Sequence, residues 1–375
     1  MIRRAPAPAD RELREKLERL AEVVRGKRRP LVLTHDNPDP DSLASAVGLA
    51  FLLRRRFGLA ARVAYGGIVG RAENQAMVRV LQLPIVPVSR LVFDEYDLLC
   101  LVDTQPEAGN HSLPVRHRPD IVLDHHPLRE GGRRAPFADV GGEFGATSTM
   151  LVRYLRGSGV EPDAQVATAL FYGLKSDTRD LGRETCRADE DAYLWLFPRV
   201  DKLELGRIEH PDLPPAYFQL LHAAIERARR YGGPNGDLVV SDLGALYAPD
   251  LTAEIAERFL HIEGVRWSLA LGSFHGDIFV SLRTNDPRDH VGQLIREICA
   301  GLGGTSGGHW SMAGARLPLP HERRRRLGAR REILGRFLAA LGGHRGQRGK
   351  QLLDQGPGRT TILGAVRRGP RRPYR

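Results

Sequence analysis

The stretch His35-Asp36-Asn37-Pro38-Asp39-Pro40-Asp41 sets one imidazole and three carboxylates within seven residues. Carboxylates this close repel one another, and a divalent cation is one means of making the crowding favourable. Oxygen donors with one imidazole suit Mn2+ or Mg2+ better than zinc in a thiolate site. A polar turn with an N-cap would account for a single Asp-Pro turn. It would not account for His35, and it predicts no further acids at neighbouring strand ends. Further acids are present. The apolar run in YDLLCLVDTQP ends in Asp103, and the run in DIVLDHHP ends in Asp124, His125 and His126. In DAQVATALFYGLKSDT a helical pattern places Val166, Leu170 and Leu174 on one face, and Asp177 shares it. A carboxylate aimed at a core needs a partner, and metal supplies one.

Strand, loop and helix must position these groups. PLVLT (Pro30 to Thr34) reads as a buried strand. Pro38 and Pro40 disfavour helix and push Asn37 and Asp39 toward extended backbone. Asp39 and Asp41, two residues apart, are therefore expected to face one point. From Leu43 the pattern becomes an amphipathic helix, with Asp41 or Ser42 as its N-cap. Three strands thus finish in metal-capable side chains, and open α/β sheets take ligands at the carboxyl ends of their strands.

In the second half LVVSDLG, RWSLALGSF and DIFVSLRT read as strands, the last two as a hairpin around Gly276-Asp277. Ala216 to Gly232 and Asp289 to Ala300 read as helices. Gly303, Gly304, Gly307 and Gly308 permit close backbone approach to a phosphate or base, and His309 can donate to an anion. Such a loop alone would be a plain connector. Arg283 at a strand end favours the binding reading. Trp310 is expected to pack in a core rather than stack on a base.

The chain has 375 residues, enough for two or three domains with their own cores. Its three cysteines, Cys100, Cys186 and Cys299, are odd in number and far apart, which argues against a disulfide framework and for a reducing cytoplasm. The N-terminus is charged and lacks an apolar signal core, and no uncharged run is long enough to span a membrane. Of 56 Lys and Arg, 17 fall between Arg316 and Arg375 against three acids, so Met1 to Ala315 is mildly acidic, with 39 basic against 42 acidic residues. A basic end favours anionic partners such as longer single-stranded nucleic acid, with solubility as the plain alternative. RRGPRRPYR has little to bury and is expected to be disordered.

The segments HDNPDPDS, VDTQP, DHHP and GLKSDT resemble, in order and strand context, the motifs of the DHH phosphoesterase superfamily. GATSTML resembles the linker to the fourth motif, and GGTSGGHWSMAGARL resembles the GGGH signature of the DHH-associated C-terminal domain. The resemblance covers most of residues 30 to 320. It implies an α/β protein with a parallel-sheet DHH domain, helices on both faces, and a smaller α/β substrate-binding domain. The expected boundaries are 1–185 for the catalytic domain, 186–235 for a helical connector, 236–343 for the second domain and 344–375 for a basic tail. Residue by residue it implies two ions, Mn2+ with Mg2+ or Co2+ as substitutes. His35 and Asp39 would hold one, Asp41, His125 and Asp177 the other, and Asp103 would bridge. His126 would face the substrate phosphate, and Asp124 would hold His125 in the required tautomer. Arg283, Gly307, Gly308 and His309 would grip substrate, in a cleft with the metals on the other wall. Two such ions suit in-line displacement at phosphorus without a Ser or Cys nucleophile.

Within the superfamily the two-domain span resembles bifunctional oligoribonucleases that also dephosphorylate 3′-phosphoadenosine 5′-phosphate. Neither an extra oligonucleotide-binding domain nor a preceding membrane or sensory segment is expected. The pyrophosphatase branch is disfavoured, because its C-terminal domain lacks a GGGH-type loop. The competing readings are a stand-alone cyclic-dinucleotide phosphodiesterase, a single-strand exonuclease, and a non-catalytic nucleic-acid-binding scaffold. A homodimer is left open. Pro40 stands where the family loop often has Gly, and Thr305 and Ser306 where more glycine is usual. Both departures bear on substrate choice rather than on metal.

Overall fold

The structure, a computed structural model, describes residues 8–182, 185–233, 236–308, 311–318, 323–343 and 346–353. The chain divides into two compact units, Met1–Asp212 and Leu213–Arg375.

The first unit opens with α1 (Pro8–Val24), β1 (Pro30–Leu33), α2 (Pro40–Phe57), β2 (Arg62–Tyr65), α3 (Ala72–Val80) and β3 (Ile85–Pro87). β4 (Leu98–Val102), β5 (Ile121–Asp124) and β6 (Phe137–Val140) follow, then α4 (Thr147–Gly157), α5 (Ala164–Asp177), α6 (Arg187–Leu196) and α7 (Lys202–Glu209). The six strands form one parallel sheet in the order β3-β2-β1-β4-β5-β6. The order reverses between β1 and β4. Right-handed crossovers therefore run over one face for β1 to β3 and over the other for β4 to β6. α2 and α3 fill the first face, where Val32, Val63, Cys100, Val102 and Leu123 meet the helices. The β4–β5 and β5–β6 connections contain no α-helix, only the 3-10 turn Glu130–Arg134. On that second face Leu31, Leu33, Leu99 and Leu101 pack against Leu113, Val88, Leu91, Phe93 and Ala135 from turns and loops. Helical cover, expected on both faces, is concentrated on one.

α2 owes its burial to an apolar run from Leu43 to Leu53 and stops at Gly58, held at φ 71°. It crosses α5 closely. A Cβ on Gly173 would lie 2.8 Å from Ala44 Cβ and 3.1 Å from Asp41 Cα. That approach, one turn before the end of α5, carries Asp177 to the end of the sheet where Asp41 sits.

The second unit contains α8 (Pro215–Arg227), β7 (Arg229–Tyr231), β8 (Asp237–Ala245), α9 (Leu251–Phe259), β9 (Val265–Phe274), β10 (Asp277–Thr284) and α10 (Val291–Cys299). It ends with β11 (Thr305–Gly308), β12 (Met312–Pro318), α11 (Arg323–Ala340) and β13 (Lys350–Gln351). The strands form a mixed sheet, β11-β12-β10-β9-β8-β7-β13. α8 and α9 cover one face, and α10 and α11 the other. The turn between β9 and β10 is His275-Gly276, both at positive φ as a two-residue hairpin requires. Residues 216–232, expected as one helix, instead turn from α8 into β7, which buries Tyr231 and pairs with β8. The division between units falls inside the stretch expected as a connector, with α6 and α7 in the first unit and α8 in the second. Lys350–Gln351 pair with Arg229–Arg230, so the sheet continues past residue 343, where the tail was expected to begin. Among the described residues no helix is long and apolar enough to cross a membrane.

The glycine-rich segment is an edge strand rather than an open loop. β11 pairs antiparallel with β12 from Thr305↔Arg316 to Gly308↔Ala313. A Cβ on Gly304, at φ 80°, would lie 2.0 Å from the Arg316 carbonyl oxygen, and one on Gly308 2.3 Å from that of Met312. Gly307 has nothing within 4 Å of its Cβ position. Gly308→Ala is expected to cost about 1–3 kcal/mol by overpacking against backbone. Gly307→Ala should stay within roughly 0.5 kcal/mol. Urea unfolding of the two full-length variants checks this, and equal losses would rule out the β11–β12 register.

Candidate metal centre

β1, β4 and β5 are neighbours, and their carboxyl ends flank the reversal in strand order. Ligands of open α/β sheets collect at such a point. His35 lies two residues beyond β1, Asp103 directly beyond β4, and Asp124, His125 and His126 end and follow β5. Asp103 holds φ 56°, left-handed backbone that few residues with a side chain adopt. The loop after β1 differs from its sequence reading. Asp39 is the N-cap of α2, accepting from Ser42 N, and Pro40 occupies the first helical turn, where its missing N–H costs nothing. Asp41 is therefore helical. Its carboxylate accepts from the backbone N–H groups of Thr147 (2.7 Å) and Ser148 (2.9 Å) at the start of α4, where the helix dipole favours an anion.

The side chains converge as two groups that meet at Asp103. His35, Asp39 and Asp103 bring three ligand atoms within 4.8 Å of one another, as do Asp41, His125 and Asp177. Asp103, His125 and His126 form a third such set. One oxygen of Asp103 lies 3.6 Å from His35 Nε2, and the other 3.7 Å from His125 Nε2. Asp39 Oδ1 is 3.7 Å from His35 Nε2, and Asp177 Oδ2 is 3.2 Å from His125 Nε2. Ligand atoms sharing one octahedral ion at about 2.0–2.2 Å stand roughly 3 Å apart. Both rings are fixed from behind. His35 Nδ1 bonds the Asp36 carbonyl (2.9 Å) and His125 Nδ1 that of Phe144 (3.1 Å), so Nε2 is the nitrogen each turns inward.

Electrostatics point the same way. Burial pushes the Asp103 carboxyl well above the usual range, and Asp41, Asp39, Asp124 and Asp177 push it further. Asp41 is also raised by burial, against the pull of His125. Burial would lower His35, yet the hydrogen bond and charge of Asp39 lift it to about 9. His125 is raised despite burial by Asp177 and Asp41. The cluster is built to receive positive charge. A pair of divalent ions fits the donor set, with carboxylates for charge and two oriented imidazoles.

The order of these segments along the chain matches two family models. The model described as the DHH family, N-terminal domain, matches residues 29–174, and that of the DHHA1 domain matches residues 235–345. The chain belongs to the DHH superfamily. An uncharacterized protein of Methanocaldococcus jannaschii is 32% identical over 326 residues, 83% of this chain and 65% of that protein. A probable manganese-dependent inorganic pyrophosphatase of Listeria monocytogenes is 24% identical over 200 residues, 53% of this chain and 62% of that protein. The aligned stretch thus spans just under two thirds of the length of both of these curated relatives. The crystal structure of an exopolyphosphatase-related protein from Bacteroides fragilis shares the fold, with a TM-score of 0.66 over 88% of this chain and 96% of that one at 15% identity.

Inside the DHH domain, Asp124 departs from its expected partner. Its Oδ1 accepts from His126 Nδ1 (2.7 Å) and His126 N (3.1 Å), while the Phe144 carbonyl holds His125. Alternation at a strand end explains this, because residues 124 and 126 share one side and 125 takes the other. Burial would raise the Asp124 carboxyl, but His126 keeps it below its ordinary range. Two polar residues were not singled out by sequence. Thr147 Oγ1 donates to Asp103 Oδ1 (2.9 Å) and accepts from His125 N (3.2 Å), tying α4 to the centre. Gln105, buried, donates to Asp124 Oδ2. The only signal for Gln105 was its place in VDTQP, and Thr147 had only its place in GATSTML. In the DHHA1 domain Arg283 is buried on β10, pairs in register with Met312, and donates to the Ala313 carbonyl (3.3 Å). Ala313 pairs in turn with Gly308. Arg283, Gly307 and Gly308 therefore lie close together on the β10-β12-β11 side of this sheet. His309 and Trp310 lie outside the described residues.

Proposed function

We propose that the chain is a metal-dependent phosphoesterase that hydrolyses phosphodiester or phosphomonoester bonds of short nucleotides, with two Mn2+ ions as its cofactor. The observation that carries this reading is Asp103, whose two oxygens face two separate histidine-containing groups of ligands. His35 and Asp39 would hold one ion, Asp41, His125 and Asp177 the other, and Asp103 both. When bound, such ions supply an activated water and a clamp on the attacking and leaving oxygens at phosphorus. The chain's own residues do the rest. Asp124 fixes Nδ1 of His126, turning Nε2 into the edge that meets a phosphoryl oxygen. Thr147 holds one oxygen of the Asp103 carboxylate. The β1, β4 and β5 ends hold these groups on a rigid sheet. Manganese is favoured by the oxygen-rich donor set and by the name of the Listeria relative. The nucleotide reading rests on the DHHA1 domain and on the cluster of Arg283 with the glycine strand.

The test is a panel of RNA and DNA from two to ten nucleotides, 3′-phosphoadenosine 5′-phosphate and cyclic dinucleotides, assayed with Mn2+. Turnover of dinucleotides and 3′-phosphoadenosine 5′-phosphate is expected to exceed that of ten-mers. Preference for cyclic dinucleotides or ten-mers would favour the cyclic-dinucleotide or exonuclease reading. Binding of ions without hydrolysis of anything would leave a nucleic-acid scaffold. The same panel with a chain ending at Leu353 tests the basic end, which loses six arginines and one acid. If that end guides strands, truncation should slow only the ten-mer. It should also flatten that substrate's salt dependence, by about 0.7 in log K against log salt for each phosphate the arginines no longer neutralise.

A further inference from the structure

Gln105 follows Asp103 by two residues, so one strand end carries both the carboxylate shared by the two ligand groups and a buried amide. That amide is fully engaged. Its Nε2 donates to Asp124 Oδ2 (2.8 Å) and to the Pro127 carbonyl (3.1 Å), and its Oε1 accepts from Arg129 N (2.6 Å). The loop after β5 closes tightly over it, for a Cβ on Gly132 would lie 2.8 Å from Oε1. Asp124 passes the constraint on, since its other oxygen holds both the backbone N–H and the ring Nδ1 of His126. A carboxylate gripped on one oxygen only can swing about its side-chain bonds, and an imidazole resting on it swings too. Gripped on both oxygens it cannot. Gln105 itself is buried and no ligand atom of the two ion groups lies among its partners, so it reaches His126 through the Asp124 carboxylate and the Pro127–Arg129 backbone rather than through the metal ligands.

We infer that Gln105 is a positioning residue that sets the ring of His126 through Asp124, and so governs catalytic turnover rather than metal binding. The inference rests on the phosphoesterase reading for its kinetic part only. In Gln105→Leu, which keeps much of the side chain's bulk but none of its hydrogen bonds, kcat should fall about 10–100-fold, the usual worth of an outer partner of a metal site. KM and the number of bound Mn2+ ions should stay within about twofold. On a His126→Ala background the same substitution should add almost nothing, because residues acting as one unit are non-additive. A merely structural role would instead add in full on that background and would shed metal. The second readout needs no turnover. In metal-free, full-length protein labelled with 15N-histidine, the side-chain signal of His126, identified by its loss in His126→Ala, should shift or split in Gln105→Leu while those of His35 and His125 hold. An unmoved His126 signal overturns the inference whether or not the protein hydrolyses anything. A moved signal with no turnover by wild type on any substrate supports the positioning and sinks the phosphoesterase reading instead.

Discussion

Asp103→Asn is expected to remove hydrolysis and bound metal together while leaving the fold in place. Each Asp103 oxygen faces a different histidine, at 3.6 and 3.7 Å, and Thr147 Oγ1 donates to one of them at 2.9 Å. Asparagine has the same shape but turns an N–H donor toward one ligand group and carries no charge. Loss of activity should exceed the roughly 10–100-fold that outer partners of a metal ligand are worth. Bound metal should drop below two ions per chain. The metal-free variant should melt no lower than metal-free wild type, because burial and four neighbouring carboxylates already disfavour the Asp103 charge. Metal analysis, thermal melts and Mn2+-supported turnover on the same preparations check all three. A variant that keeps two ions and full activity would remove Asp103 from the shared position.

Chelation should have the second-largest effect, on stability as well as on activity. Protein reloaded with Mn2+ should carry close to two ions per chain and lose all turnover in excess chelator. Each site contributes about 2.7 kcal/mol when free metal stands at 100 times its Kd. For a unit the size of Met1–Asp212 that is roughly 5–10 °C of Tm per site. Every candidate ligand group among the described residues lies in the first unit. Only its transition should move, and calorimetry with and without chelator separates the two. A melt indifferent to chelator, with turnover intact, would end the two-metal reading.

How far the sequence reached depends on the range of the physics involved. Apolar runs ending in Asp103 and in Asp124-His125-His126 announced strands with polar ends, because the pattern of burial is written locally. Proline at position 40 was read as part of an extended loop before the helix, whereas it opens α2, whose first turn tolerates it. Asp39 and Asp41, expected to face one point, instead enter separate ligand groups, because one caps α2 and the other accepts from the first N–H groups of α4. The partner of Asp124 followed from strand alternation, a local rule, and its assignment to His125 was an avoidable error.

The DHH-like motifs pointed to the six candidate ligands, since acids and imidazoles placed at strand and helix ends are a chemical signal that survives without coordinates. What tertiary structure alone decided is which of them meet and what holds them. The order β3-β2-β1-β4-β5-β6 makes β1, β4 and β5 neighbours, and nothing in any one segment fixes that order. Thr147 reaches Asp103 across 44 residues and Ser148 reaches Asp41 across 107. Gln105 and Thr147 are ordinary polar residues in a sequence. They acquire a role only once packing has stripped their water and left one carboxylate each to bond, for a buried polar group must find its partner wherever the fold has brought one.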